Sequence, residues 1–219
     1  MGSWKSFDRL VKEYDAWYER YKLAYESELL SLRAFLPENL EKLKALEIGA
    51  GTGRFASVLG VGLGLEPARA MAMLAKQRRL EVVLGVAELL PFKKEKFDLV
   101  LIVTALAFFE NPNQALRETL RILKPGGQIL AGILDRDRLQ GRYLESGNKK
   151  GGFFSKAHFL STAEVSSDLE KLGFERLEIY QTLFKPPGEI KEIEIPEKGH
   201  GKGSFVVLSA RKPVQEHGD

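Results

Sequence analysis

Residues Leu46 to Gly53, reading LEIGAGTG, constrain the fold of this chain more tightly than any other stretch. The apolar run at its start (Leu43, Ala45, Leu46, Ile48) has the character of a buried strand. Three glycines follow at alternate positions, Gly49, Gly51 and Gly53, and Arg54 to Leu59 (RFASVL) then opens a helix. A strand that runs through a glycine turn into a helix brings backbone within contact distance of a ligand. Glycine has no Cβ and accepts positive φ, and the helix start offers free N–H groups. Such a turn belongs to an α/β fold that grips a nucleotide cofactor. Two spellings of it compete. The dinucleotide pattern G-x-G-x-x-G/A fits as Gly51, Gly53, Ala56, but wants an acid about 20 residues on, and Glu66 comes early, 13 residues after Gly53. The pattern acid-x-Gly-x-Gly-x-Gly fits without adjustment as Glu47, Gly49, Gly51, Gly53.

Composition removes several chemistries. The chain has 219 residues, enough for one domain with appendages and a sizeable core. It has no cysteine, which excludes disulfides, thiolate metal ligands and a thiol nucleophile. His158, His200 and His217 are isolated from one another, so no metal site is expected. No apolar run approaches the ~18 residues of a membrane span, and MGSWKSFDRLVKEYD lacks a signal-peptide core, so a cytoplasmic location is expected. Gly2 and Ser6 match the spacing of a myristoylation signal, a six-residue pattern that also arises by chance. Net charge is +3 with basic and acidic residues interspersed, which argues against a nucleic-acid footprint.

The order of elements follows from periodicity. Residues 5–36 carry a helical stripe of Phe7, Leu10, Val11, Tyr14, Trp17, Tyr18 and Tyr21, then Leu29, Leu30, Leu32 and Phe35, closed by Pro37. From Leu43 strands and helices alternate. A stretch from Val61 to Leu65 leads into a helix with Pro67 suited to its first position and Met71 and Leu74 inward. Strands are expected at Glu81–Leu84, Phe97–Val103, Gln128–Leu134, Phe174–Thr182 and Ser204–Ala210. Asn111-Pro112 caps one helix, Lys124-Pro125-Gly126-Gly127 stops it, and Ser161-Thr162-Ala163-Glu164 spells a capping box for another. This alternation predicts a parallel sheet covered on both faces. Two glycine-containing segments break the rhythm, Asp135–Lys156 (Gly141, Gly147, Gly151, Gly152) and Lys185–Gly203. Either suits a substrate-gripping loop, and the second suits a solvent-facing linker equally.

With these motifs in order, the chain resembles the class I S-adenosylmethionine-dependent methyltransferases, in the group that includes the ubiquinone/menaquinone-biosynthesis enzymes. The likeness rests on LEIGAGTG at 46–53, GLEPARAM at 64–71, GVAELLPF at 85–92 and RILKPGG at 121–127, with FDRLVKEYDAWYE resembling the family's N-terminal helix. It implies a Rossmann-like fold with a seven-stranded, mostly parallel sheet, helices on both faces and the last strand antiparallel. Residues 1–40 would form an N-terminal helical lid and 41–219 the methyltransferase domain, with 136–160 an inserted substrate-side segment. The cofactor would be S-adenosylmethionine, leaving S-adenosylhomocysteine, bound across the carboxyl ends of strands one to four. The resemblance places Glu47, Gly49, Ala50, Gly51 and Gly53 at its methionine end, Glu66 and Pro67 at the ribose, and Met71, Ala87 and Glu88 at the adenine. Thr104 would lie near the methionine portion. Glu47 has a second reading, as an acid that satisfies the turn's own N–H groups. Val86 departs from the family pattern, which often has Asp there, so an adenine contact is either missing or supplied by Glu88.

Methyl transfer from a sulfonium is an in-line displacement whose main demands are alignment and exclusion of water. A general base is needed only if the acceptor loses a proton in the same step; Tyr14, Tyr18 and Glu110 are candidates, each with a packing or helix-start alternative. The lack of cysteine removes the thiolate route to cytosine C5, and TALAFF stands where an Asp/Asn-Pro-Pro-aromatic motif would follow strand four. Phe108, Phe109, Trp17 and Tyr18 point to a small, partly apolar acceptor, bound by a monomer or homodimer. Two other functions stay open on sequence alone: an NAD(P)-dependent oxidoreductase and a non-catalytic protein that binds S-adenosylmethionine.

Overall fold

A computed structural model of the protein describes residues 7–138 and 152–214. The Gly2–Ser6 pattern, Gly141, Gly147, Gly151, much of the 136–160 segment and His217 lie outside the described residues. Among the described residues no helix is long and apolar enough to cross a membrane, and no three His, Cys, Asp or Glu side chains are grouped to hold a metal.

Two helices, α1 (Phe7–Arg20) and α2 (Lys22–Arg33), precede the alternating region. The single stripe expected over 5–36 is thus broken at Tyr21, whose φ of −115° and ψ of 47° leave the helical region. Then follow β1 (Ala45–Ile48), α3 (Arg54–Leu59), β2 (Leu63–Leu65), α4 (Arg69–Gln77), β3 (Glu81–Val83), β4 (Phe97–Val103), α5 (Pro112–Ile122) and β5 (Leu123–Leu134). The last part holds α6 (Thr162–Lys171), β6 (Glu175–Thr182), β7 (Glu197–Lys198) and β8 (Phe205–Arg211).

The strands form one sheet in the order β3-β2-β1-β4-β5-β8-β6-β7. Strands β3 to β5 are parallel, and β8 is antiparallel to both β5 and β6. Among the described residues the sheet therefore has eight strands rather than seven. The extra one, β7, is two exposed residues of the Lys185–Gly203 segment that pair with Tyr180 and Gln181 at the sheet edge. Two charged residues carry no periodic signal, so this pairing is visible only in three dimensions.

Strand order reverses between β1 and β4, which opens the crevice where doubly wound sheets take their ligands. β4 alternates cleanly: Leu99, Leu101 and Val103 face a core shared with α1 to α4, while Val100 and Ile102 face one shared with α5 and α6. Its unbroken apolar run reflects cover on both faces. Each of these fully buried side chains contributes about 1.5–3 kcal/mol to stability.

The helix boundaries follow their caps. The Asn111 side chain accepts the Gln114 N–H at 3.0 Å with Pro112 in the first turn of α5, and Ser161 and Glu164 form a reciprocal capping box on α6. Two boundaries differ from expectation. α4 starts at Arg69 because the Glu66 carboxylate holds the Ala68 N–H at 2.8 Å, so Pro67 stands before the helix. β5 begins at Leu123 and takes in Pro125-Gly126-Gly127, with an irregular register there against β4.

Candidate functional site

The turn after β1 is held by two carboxylates. Gly49, Gly51 and Gly53 all adopt positive φ, at 72°, 54° and 77°. A Cβ on Gly49 would lie 2.5 Å from Ala105 Cβ, so this glycine is demanded by packing against the end of β4. One on Gly51 would stand 3.5 Å from the Tyr14 hydroxyl, on the open side of the turn. Gly53 packs against Ala75 and Leu80. Glu66, at the end of β2, accepts the Gly51 N–H on Oε2 and the Ala68 N–H on Oε1, both at 2.8 Å. Glu47 lies beneath the turn, 1% exposed, and its Oε2 accepts the Ala56 N–H at 2.8 Å. That N–H is one of the free donors in the first turn of α3. Burial pushes both acids up despite these bonds, Glu47 to about 8 and Glu66 to about 7.

Above the turn, at the carboxyl ends of β1, β2 and β4, lies a cleft of about 200 Å³. Its walls include Tyr14, Gly49, Gly51, Glu66, Pro67, Met71, Ala87, Glu88, Thr104 and Glu110 among the residues expected from sequence, together with Phe7 from α1. Glu47, Ala50, Gly53 and Tyr18 do not line it. Ala50 is buried and presents its N–H to Leu65 O, and Tyr18 lies behind Tyr14, with the two hydroxyls 2.8 Å apart. Leu65, Val86, Val103, Phe108 and Phe109 complete an apolar slot.

The charge of the cleft is one-sided. Glu66, Glu88 and Glu110 line it, and none of the described lining residues is Lys or Arg. Such a lining suits a cationic ligand and is unfavourable for a diphosphate, which needs positive groups beside it. The lone pairs of Glu66 not used by backbone remain for hydroxyl donors. A flat base, a ribose and a sulfonium therefore fit the residues present.

Among the catalytic candidates, Tyr14 is partly buried and its phenol is pushed well above the ordinary range, first by desolvation and then by nearby acids including Glu47, Glu66 and Glu28. It stays protonated at neutral pH and can serve as a hydrogen-bonding group there, not as a phenolate. Glu110 is exposed at the cleft edge. Glu88 accepts the Asn111 N–H at 3.2 Å, which ties the loop after β3 to the start of α5. Thr104 has φ of 54°, an uncommon value for a β-branched residue, and its N–H bonds Gly132 O at 2.7 Å.

Sequence reasoning missed the residues that dock α1. Asp15 accepts from Arg54 through Nε and Nη2 (2.9 and 2.8 Å), from Arg78 (2.8 Å) and from the Thr52 hydroxyl (2.8 Å). Burial opposes ionisation of Asp15, but bonds from Arg54, Thr52 and Arg78 outweigh it and hold its carboxyl down at about 2. Asp8 accepts the Ala70 N–H in the first turn of α4 at 2.9 Å. Charged residues on a helix read as a solvated face, and no local pattern marks these partners, which are 37 to 63 residues away. Glu28 was also missed. It stands four residues from both Ala24 and Leu32, on the fully buried stripe of α2, and this spacing was the one available signal.

Comparisons with known proteins agree with this geometry. Residues 46–131 match the family model described as a methyltransferase domain. The chain is 44% identical to a solved S-adenosylmethionine-dependent methyltransferase of Thermotoga maritima, described as a possible histamine N-methyltransferase. That match covers 96% of this chain and 99% of the other with a TM-score of 0.89. An uncharacterized protein of Methanocaldococcus jannaschii is 40% identical over 94% of this chain and 98% of its own length. The demethylmenaquinone methyltransferase of Lactococcus lactis is 26% identical over 80% of this chain and 70% of its own.

Proposed function

The chain belongs to the class I S-adenosylmethionine-dependent methyltransferases, and we propose that it methylates a small, partly apolar acceptor held between the cleft and the aromatic face of α1. This membership sets aside the dinucleotide reading of the glycine turn, in accord with a cleft lined by carboxylates rather than cations. When bound, the cofactor supplies a methyl on a sulfonium, a leaving group already activated.

The observation that carries the assignment of roles is that ten of the cofactor contacts and base candidates expected from sequence line one cleft. Glu66 accepts hydrogen bonds from the ribose hydroxyls while its other lone pairs pin Gly51 and Ala68. Met71, Val86 and Ala87 pack on the adenine, and Glu88 stands near its ring nitrogens. Gly49 and Gly51 leave room for the methionine end. Glu47 acts from beneath, rigidifying the turn through Ala56. Thr104, at the end of β4, flanks the sulfonium. Helix α1 is a lid, latched by Asp8 and Asp15, whose Phe7 and Tyr14 exclude water from the reacting centre.

The test is to incubate the protein with isotopically labelled S-adenosylmethionine and a cell extract, and to search for labelled products by mass spectrometry. A labelled small molecule and equimolar S-adenosylhomocysteine are expected. Label found only in protein or nucleic acid overturns the small-acceptor reading.

A further inference from the structure

Residues 85–92, which join β3 toward β4, put Val86, Ala87 and Glu88 into the wall of the cleft. Among the described residues this stretch makes a single backbone–backbone bond, from the Leu89 N–H to Val86 O at 3.3 Å. Side chains of α5 hold it instead. Glu118 and Arg121 form a bidentate pair, with Arg121 Nε on Oε1 at 2.7 Å and Nη2 on Oε2 at 2.8 Å. The Leu90 N–H donates to Glu118 Oε2 at 2.9 Å. Arg121 donates to Leu90 O at 3.1 Å and to Phe92 O at 2.9 Å. Both polar groups of the Leu90 backbone are thus taken by one ion pair. Arg121 holds the Glu118 carboxyl below its ordinary range, so the pair stays ionised at neutral pH. The Arg121 and Ile122 carbonyls then accept the Glu95 and Lys96 N–H groups at 3.0 and 2.7 Å, which lays the chain along α5 up to β4.

Resting on the cofactor reading above, we propose that Glu118 and Arg121 are positioning residues for the cofactor's base. Neither lines the cleft. They act through the loop, fixing the backbone at Leu90 and Phe92 so that Val86, Ala87 and Glu88 present one rigid wall to the adenine.

The chemistry of the wall makes this rigidity necessary. Val86 has no polar side-chain atom, so hydrogen bonding from this stretch falls to the backbone and to Glu88. The N–H groups of Ala87 and Glu88 have no acceptor among the described residues. Backbone groups discriminate between bases only when their positions are fixed, and a loop with one internal bond is not fixed by itself. The bonds that fix it are charge-assisted and directional, and they begin two residues from Glu88. With side chains 37% and 12% exposed, the Arg121–Glu118 attraction alone adds little to stability. What it does is orient a planar fork that reaches two loop carbonyls and Glu118 at once, a geometry that a lysine ammonium cannot reproduce.

The test uses the full chain in calorimetric titrations at pH 7 with S-adenosylhomocysteine and S-inosylhomocysteine, which differ only in the base. Adenine and hypoxanthine exchange donor for acceptor at N1 and at the 6-position, so the ratio of the two affinities reports how firmly the wall is held. The unaltered protein is expected to prefer S-adenosylhomocysteine by about tenfold or more, and Arg121→Ala to bring that preference to about threefold or less. Glu118→Gln keeps an acceptor for the Leu90 N–H but removes the charge that aligns Arg121, and is expected to give an intermediate ratio. General loosening of the fold weakens both ligands by the same factor and leaves the ratio where it was. An unchanged ratio in a folded Arg121→Ala protein therefore overturns the inference, and so does an unaltered protein that binds the two ligands equally. Should Arg121→Ala not fold, Arg121→Lys takes its place, since it keeps a cation beside Glu118 without the fork; a fall in the ratio is expected, and no fall overturns the inference. Failure of the unaltered protein to bind either ligand is a different result, which counts against the cofactor reading itself.

Discussion

Replacing Glu66 with Ala tests the centre of the cofactor assignment. Its carboxylate is 6% exposed, with each oxygen engaged by one backbone N–H at 2.8 Å. The ribose hydroxyls would add two charge-assisted bonds, each about 1.5–3 kcal/mol when isolated. Water entering the vacated space recovers part of this, so a net loss of about 2–3 kcal/mol is expected, or roughly a 30- to 150-fold rise in Kd. The substitution also strips the acceptor from the Gly51 and Ala68 N–H groups. A loss of about 2 kcal/mol in stability follows, or roughly 4–8 °C in Tm for a chain of this size. The two effects separate in a cycle. Calorimetry measures S-adenosylhomocysteine and its 2′,3′-dideoxy analogue on both proteins. The unaltered protein should prefer the hydroxylated ligand by at least tenfold, and Glu66→Ala should bind both alike. If the preference survives in the variant, the ribose is held elsewhere and the assignment fails.

Four other outcomes are expected. Because desolvation raises Glu66 to about 7, with Asp8 adding to it against the Ala68 and Gly51 bonds, affinity for S-adenosylhomocysteine should weaken as pH falls from 8 to 6. A Glu66→Gln protein should show a flat profile over that range, and an equally flat one in the unaltered protein contradicts the role. In the ligand-free protein Glu47 and Glu66 are both raised from 4.5, to about 8 and 7. The folded state then binds more protons than the unfolded one, so stability falls as pH rises from 4.5 through 8. Glu47→Gln should make the Tm-against-pH slope shallower. Asp15→Asn should cost about 2 kcal/mol, between the values for exposed and buried pairs; hydrogen exchange should then rise in α1 before it rises in β4, and uniform protection would show that the latch is not local. Gly49→Ala should lower Tm by about 5 °C or more, because the added Cβ meets Ala105 at 2.5 Å and the residue holds φ of 72°; thermal denaturation decides.

The legible part of this protein is the part written locally. The Asn111-Pro112 cap and the Ser161–Glu164 box complete their own hydrogen bonding within a few residues, and the LEIGAGTG turn is marked by glycines at alternate positions, so order along the chain is enough to read them. The apolar run of β4 is equally plain, because a strand covered on both faces needs no polar alternation. The family resemblance puts an acid at the end of the second strand, and Glu66 stands there after β2, bonded to Gly51.

What only the tertiary structure decided are the choices among charged residues that look alike in sequence. Glu47 and Glu66 both end strands, yet one lies beneath the turn on Ala56 and the other lines the cleft. Asp15 and Glu28 are both helical acids in polar surroundings. One meets Arg54 and Arg78 from distant elements, and the other is buried on the stripe of α2 that faces the core. A carboxylate's chemistry is set by what surrounds it in space, through desolvation and by cations or N–H groups brought from elsewhere in the chain. The local code therefore marks the glycine turn, while the proposed lid latch arises only when α1 folds onto the sheet.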